Sequence, residues 1–339
     1  MVSRILGLYL KHHSPTKAPA EQQADRRRAE LWLRFLGPKH DLSKLRLADW
    51  QAFIEARRSG TISAAGEPVP ENKQVPVRDN TVAGDLVFLR SVVNWACKWQ
   101  DEEGRYLMRE NPTRGFPMPV EKNPRRPVAT ADRYEKVRAV ADQVTMAVGR
   151  GRHSPHKRSP LGAILDLAFH TGRRISAILA LKRDDLLLNP TPTMPFGAII
   201  WRAEFDKMGK EWVVPMSREV RAVIDQLLVE RPLIGQAYLF PAPNHPGTPI
   251  SKEVAGAWLI KAEQLAGVEK QKGSLFHAYR RGWATARKHM PDVDVAAAGG
   301  WSDLSSLKTC YQQADEATMY AVVSQPMQLR EVVGARTNS

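Results

Sequence analysis

Cysteine is scarce, with only Cys97 and Cys310 in 339 residues. Two thiols so far apart exclude a disulfide framework and a cysteine-based zinc cluster, and both read as free thiols. No run of about 18 apolar residues is present, which excludes a helical membrane span. The opening Met1-Val2-Ser3-Arg4-Ile5-Leu6-Gly7 is a short apolar patch that Lys11-His12-His13 interrupts before a secretory core forms, so the reading is an intracellular protein. Also missing are an internal repeat of solenoid length and a dominant low-complexity tract.

Basic charge is abundant. The formal net charge is +14, and residues 1–128 and 129–339 are each net basic by seven. Lysine and arginine in both parts favour a polyanionic partner, because they neutralise phosphates and release condensed counterions. Solubility alone is the competing explanation. At about 100–200 residues per domain, the length predicts two domains.

The spacing predicts a helix over Ala20–Leu36, with Arg26, Arg27, Arg28 and Arg34 making its solvent face strongly positive. A second helix follows Asp41, through Trp50, Phe53 and Ile54, to a stop at Arg57-Arg58-Ser59-Gly60. Residues 60–77 read as a Pro- and Gly-rich loop. Asn80 or Thr81 is the expected cap of a helix carrying Val82, Leu86, Leu89, Val92, Val93 and Ala96, with Glu110-Asn111-Pro112 as its breaker. Trp95 and Trp99 read as interhelical anchors. Four prolines within residues 115–128 mark the expected domain boundary. Beyond it, helical periodicity covers Ala131–Val148 and Leu161–Phe169. The intervening basic loop, Gly149–Ser159, holds Arg150, Arg152, His153, His156, Lys157 and Arg158 and either faces phosphate or is simply solvated. Ala198–Arg202 and Glu211–Pro215 read as a β-hairpin with Lys207 and Lys210 in its turn. Later helices are expected at Glu219–Leu228, Lys252–Ala266 and Phe276–His289. The segment after Gln325-Pro326 has little periodic support.

Three clusters carry chemistry. In His170-Thr171-Gly172-Arg173-Arg174-Ile175-Ser176, glycine allows close backbone approach and a helix start would add amide dipoles to two guanidiniums, a phosphate cradle. An ordinary basic helix start has the same local pattern. In His277-Ala278-Tyr279-Arg280, the i, i+3 spacing puts an imidazole and a guanidinium on one helix face, although surface pairs at this spacing are common. In Gly300-Trp301 through Lys308-Thr309-Cys310-Tyr311, an indole N–H precedes a hydroxyl that can be covalently attached. A tyrosine late in a chain is usually structural; its company with two arginine-bearing clusters raises its interest.

In this order the clusters resemble the tyrosine recombinase and phage-integrase family. Thr171-Gly172-Arg173-Arg174-Ile175-Ser176 is similar to its first arginine box, with Arg174 at the catalytic position. Lys207 matches the hairpin lysine, with Lys210 as the local alternative. His277-Ala278-Tyr279-Arg280, continuing through Trp283-Ala284-Thr285, resembles the His-x-x-Arg box. Trp301 falls at the His/Trp phosphate-contact position and Tyr311 at the nucleophile. Ala177 departs from the family, where an acidic residue commonly follows the serine, and Arg173 replaces a usually apolar residue.

The resemblance implies a mainly α, multidomain fold. A helical core-DNA-binding domain (residues 1–115) and a linker (116–128) precede a mixed α/β catalytic domain with a small β-sheet (129–325) and a tail (326–339), the two domains clamping DNA from opposite faces. It implies site-specific cleavage and rejoining of double-stranded DNA through a 3′-phosphotyrosyl intermediate on Tyr311. Arg174 and Arg280 would bind the nonbridging oxygens, His277 and Trp301 would add contacts, and Lys207 would protonate the leaving 5′-oxygen. This chemistry calls for no cofactor and no metal, and the motifs hold no compact Asp/Glu/His ligand array. Asp184 and Asp185 read as structural. The implied partners are DNA and further copies of the chain in a synaptic tetramer, with an accessory DNA-bending protein compatible and no membrane; the implied location is cytoplasmic and nucleoid-associated. Two alternatives remain open: type IB topoisomerase-like relaxation, and basic DNA binding without catalysis.

Overall fold

The computed structural model describes residues 1–122, 124, 126–147, 155–206, 209–271 and 274–324. They form two compact units, the first ending at Pro124 and the second comprising the rest. Among the described residues no helix is long and apolar enough to cross a membrane.

The first unit is built from four helices: α1 (Val2–His12), α2 (Pro19–Leu36), α3 (Leu47–Ser59) and α4 (Asp79–Ala96). The opening apolar patch is itself a helix, α1, because Val2, Ile5, Leu6 and Tyr9 recur at helical spacing and are buried on one face. Trp32 of α2 and Phe53 of α3 stack with ring centroids 3.9 Å apart. Their polar neighbours are bonded as burial demands: Trp32 Nε1 donates to the Asp85 carbonyl at 2.9 Å, and Trp50 Nε1 to the Pro117 carbonyl at 2.8 Å. Trp95 packs edge-on to Tyr9 and tilted against Trp99, joining α4 to α1. Phe116 and Met118 pack against the same core.

Two expectations fail in this unit. Neither Asn80 nor Thr81 caps α4, which begins at Asp79 without a side-chain cap, the Asp79 carboxylate being taken by Arg58. The helix also ends at Ala96, well before Asn111-Pro112. The α2 face is less positive than its four arginines imply. Arg28 pairs with buried Asp85 at 3.5 Å and Arg34 with Glu30 and Glu67, while Arg26 and Arg27 stay exposed. Burial keeps the Asp85 carboxyl above the usual range despite the pull of Arg57 and Arg28.

The second unit surrounds α6 (Leu161–Thr171), whose Leu161, Ile164, Leu165 and Leu167 are buried. Before it come α5 (Ala131–Ala141), capped by Thr130, and an antiparallel pair, β1 (Thr145–Ala147) and β2 (His156–Arg158). The expected helix over Ala131–Val148 therefore stops at Ala141. Buried Val144 continues the apolar spacing, but from an extended segment, its carbonyl accepting the Ser159 N–H at 2.9 Å. Arg150, Arg152 and His153 of the basic loop lie outside the described residues. Arg158 pairs with Glu230 at 2.7 Å and Asp142 at 3.5 Å.

After α7 (Ile175–Leu179), β3 (Leu186–Leu187), β4 (Ala198–Trp201) and β5 (Trp212–Pro215) form an antiparallel sheet in that order. The expected hairpin is thus β4–β5, with Ile199 opposite Val214. Buried Asp185 takes the Lys182 N–H and an ion pair from Arg202. Next come α8 (Arg218–Glu230), the pair β6 (Pro241–Ala242) and β7 (His245–Pro249), α9 (Lys252–Leu265), α10 (Phe276–Ala286), α11 (Asp292–Gly299), the single turn α12 (Leu304–Ser306), a π turn over Leu307–Tyr311, and α13 (Glu316–Ser324). The described residues thus carry three small sheets where one was expected.

Gly60 shows how tightly one turn is set. It ends α3 at φ +81°, where a Cβ would overlap the backbone of Val75. Left-handed backbone costs an L-residue about 1–2 kcal/mol before any overlap. Gly60→Ala should therefore destabilise the protein by at least about 1 kcal/mol, read as a lower urea midpoint at unchanged slope. An unaltered midpoint would contradict this placement.

Candidate active site

The site is assembled around the end of α11. A helix leaves its last carbonyls without helical partners; here Ala296 O accepts the Trp301 N–H at 2.8 Å, and three arginines from elsewhere in the chain take the carbonyls of Ala297 to Gly300. Arg173 donates from Nε to Ala298 O and from Nη2 to Ala297 O, both at 2.8 Å. Arg280 donates to Gly299 O and also to Gly172 O. Arg174 donates to Gly300 O at 3.0 Å. The negative end of the helix dipole faces the same guanidiniums.

Glycine makes this approach feasible. Gly300 closes α11 at φ +74°, and a Cβ there would run into the Arg173 guanidinium. Gly172 ends α6 at φ +62°, and a Cβ there would overlap the Trp283 ring. Between these turns the arginines are deeply set: Arg173 is 5% exposed and Arg280 1%. Burial pushes both guanidiniums down to about 9, with neighbouring Arg174 adding to the effect, so both remain charged at neutral pH. Arg174 is more open and stands 3.6 Å from the Asp206 carboxylate.

Aromatic rings form the other wall. The Arg280 guanidinium lies 3.5 Å from the Trp301 ring centroid and 5.1 Å from that of Tyr311. Trp301 meets Tyr311 edge-on at 4.9 Å and stacks on Trp283 at 6.1 Å. Trp301 Nε1 and Arg280 Nε are buried donors without a hydrogen-bond partner among the described residues. Such groups are costly unless something accepts from them. Tyr311 is half-buried at the end of the π turn, and the His277 ring centroid is 6.4 Å from its own. Desolvation on the packed side of the imidazole, then the charges of Arg280, Arg281 and Arg174, lower the His277 pKa from its ordinary value. Both effects favour the neutral imidazole.

Five of the six residues singled out from sequence, Arg174, His277, Arg280, Trp301 and Tyr311, thus converge. The sixth, Lys207, lies outside the described residues, and its alternative Lys210 is exposed just before β5. The i, i+3 pair on α10 does share a face, but at two depths: His277 is exposed and Arg280 is buried. The helix-start cradle is corrected. α7 has only five residues, too short for a substantial dipole, and the positive charge comes from side chains. Arg173 was visible in the sequence only as half of an arginine pair; its role as a carbonyl clamp depends on α11 arriving beside it. Among the described residues, no group of three or more His, Cys, Asp or Glu could hold a metal ion. A half-buried phenol beside two guanidiniums, a neutral imidazole and an unpaired indole N–H is suited to meeting a phosphate.

Comparisons with known proteins show the family and the fold. The chain is 29% identical over 215 residues to the tyrosine recombinase XerD of Caulobacter vibrioides, an alignment covering 62% of this chain and 61% of that protein. Its fold is similar to that of the XerH site-specific recombinase bound to a palindromic difH substrate (TM-score 0.66, 15% identity, 95% of this chain and 94% of that one). It is also similar to a lambda integrase dimer bound to a core site (TM-score 0.65, 16% identity, 92% of this chain and 79% of that one). The model of the phage integrase family matches residues 146–318, more than half of the chain and every residue of the site. The chain belongs to the phage integrase family of tyrosine recombinases.

Proposed function

We propose that this protein cuts and rejoins double-stranded DNA at specific sites through a 3′-phosphotyrosyl intermediate on Tyr311. The observation that carries the reading is the placement of Tyr311 against Arg280, Trp301 and His277, with Arg174 sharing the Gly300 carbonyl with Arg280. In the step proposed, Tyr311 Oη forms a bond to phosphorus as the bond from phosphorus to the 5′-oxygen breaks. The phenolic proton leaves toward neutral His277, and Lys207 protonates the departing 5′-oxygen. Arg174 and Arg280 hold the nonbridging oxygens, and Trp301 Nε1 adds a donor. The free 5′-hydroxyl of the same or another strand then attacks the phosphotyrosine and restores a phosphodiester. No cofactor or metal enters either step.

The domain roles belong to the same reading: residues 1–115 grip DNA, 116–128 link, and 129–325 carry out the chemistry. The working form is two protomers on each site and four in the synapse, in the cytoplasm at the nucleoid, with an accessory bending protein compatible. Met319, Tyr320, Val322 and Val323 of α13 are exposed apolar residues that support contact between copies.

The test starts from a randomised library of nicked duplexes incubated with the full chain, with adducts recovered under denaturing conditions. The wild type should yield an adduct whose DNA is attached at Tyr311 by peptide mapping. Tyr311→Phe should retain duplex affinity and lose the adduct. Binding without an adduct in the wild type would leave the noncatalytic alternative, and adducts that never exchange strands would favour topoisomerase-like relaxation.

The proton donor is separable by leaving group. Lys207→Ala should slow single-turnover cleavage by about 10²–10⁴-fold, and a 5′-bridging phosphorothiolate, whose sulfur needs less protonation, should recover much of that loss. Lys210→Ala should show little selective recovery. Recovery confined to Lys210→Ala would reverse the assignment.

A further inference from the structure

The π turn that ends in Tyr311 is an unusual way to present a side chain. Gln312 N–H closes it by donating to Leu307 O at 2.9 Å, so the turn carries one residue more than an α turn. Removing that residue from the winding would rotate Tyr311 by about 100° about the local axis. The phenol would then leave His277 and Arg280. Something must hold the segment in its wide form.

Thr285, half-buried on the last turn of α10, makes the relevant contacts. Its hydroxyl donates to the Tyr311 carbonyl at 3.1 Å and accepts the Gln313 N–H at 3.2 Å. These two backbone groups flank the exit from the π turn. One hydroxyl thus serves both, using its donor and an acceptor lone pair. The helix that provides it also carries His277 and Arg280. The nucleophile is therefore indexed to the same rigid element as two of the groups expected to face the phosphate. Other grips act on the same segment without touching the Tyr311 carbonyl: Lys308 pairs with Asp292 at 2.6 Å, Arg126 donates to Thr309 O, and Gln313 is held by its side-chain bond to Arg126 O at 2.7 Å and by Lys288 on its carbonyl at 3.4 Å.

We propose that Thr285 is a positioning residue that fixes the attack geometry of Tyr311 through its backbone. The inference rests on the reading of Tyr311 as the nucleophile. Misplacing a reacting group by about 1 Å can cost on the order of 10²-fold in rate, whereas the remote basic residues that hold DNA are untouched. Valine has nearly the shape of threonine and lacks the hydroxyl, and serine keeps the hydroxyl.

The experiment compares wild type, Thr285→Val and Thr285→Ser on a suicide duplex selected by covalent capture with the wild-type chain. Single-turnover adduct formation, equilibrium affinity and thermal unfolding are measured for each. Thr285→Val should form the adduct about 10- to 100-fold more slowly, with affinity within about twofold of wild type, and Thr285→Ser should recover most of the rate. Thr285→Ala gives the same comparison should the valine variant unfold. The inference is overturned if the hydroxyl-free variants cleave like wild type, if serine is as impaired as valine, or if rate falls only in step with affinity. A wild type that forms no adduct at Tyr311 instead overturns the underlying reading.

Discussion

Three arginines from elsewhere in the chain meet at the end of α11. Three guanidiniums approach four successive carbonyls, Ala297 to Gly300, and two of these guanidiniums are almost wholly buried. Buried cations carry a large desolvation cost, which carbonyl dipoles, the helix end and the faces of Trp201 and Trp301 offset in part. Other local features follow from this contact. Gly300 leaves room for Arg173, and Gly172 leaves room for Trp283 while lending its carbonyl to Arg280. Trp301 stacks on Trp283 and packs against the Arg280 guanidinium, and Tyr311 meets the Trp301 ring edge-on.

The same compensation is incomplete in a direction that matters for function. Burial and neighbouring guanidiniums depress Arg173 and Arg280, and desolvation followed by the nearby arginines depresses His277. An anion entering beside Tyr311 would oppose these shifts, because opposite charge favours the charged form. On the proposed reading a phosphodiester is such an anion, and Trp301 Nε1 and Arg280 Nε, which have no partner among the described residues, would donate to it. On the proposed reading, the positive charge is in place before DNA arrives, so the transition state meets preorganised dipoles and charges.

Much of this was legible from residue order. Apolar spacing located α2, α3, α4, α8, α9 and α10, and the β4–β5 hairpin followed from a turn-like stretch between two short apolar strands. The apolar run of α1 is as compatible with a short targeting segment as with a helix, and its spacing alone does not separate the two. Val144, just ahead of β1, continues the helical spacing of apolar residues although α5 has ended, which hides β1 in the sequence. Periodicity also cannot see tertiary pairing: Arg28 and Arg34 look like free surface charge until Asp85 and Glu67 arrive from distant sequence. For the site, a glycine beside an arginine pair, a His-x-x-Arg box and a late tyrosine were recognisable as a set. The carbonyl clamp of Arg173 and the latch at Thr285 were not, since each depends on a backbone partner about 125 or 26 positions away.

The central claim is that arginine charge at the α11 terminus compensates the charge of a phosphate attacked by Tyr311. It is tested most directly by measuring single-turnover cleavage by wild type and Arg174→Ala on two suicide duplexes, one with an ordinary scissile phosphodiester and one with a neutral methylphosphonate there. The account predicts a loss of about 10²–10³-fold for Arg174→Ala on the phosphodiester and nearly equal rates for the two proteins on the methylphosphonate. An equal fold-loss on both substrates would contradict it, because Arg174 would then act without regard to the charge it is placed to meet.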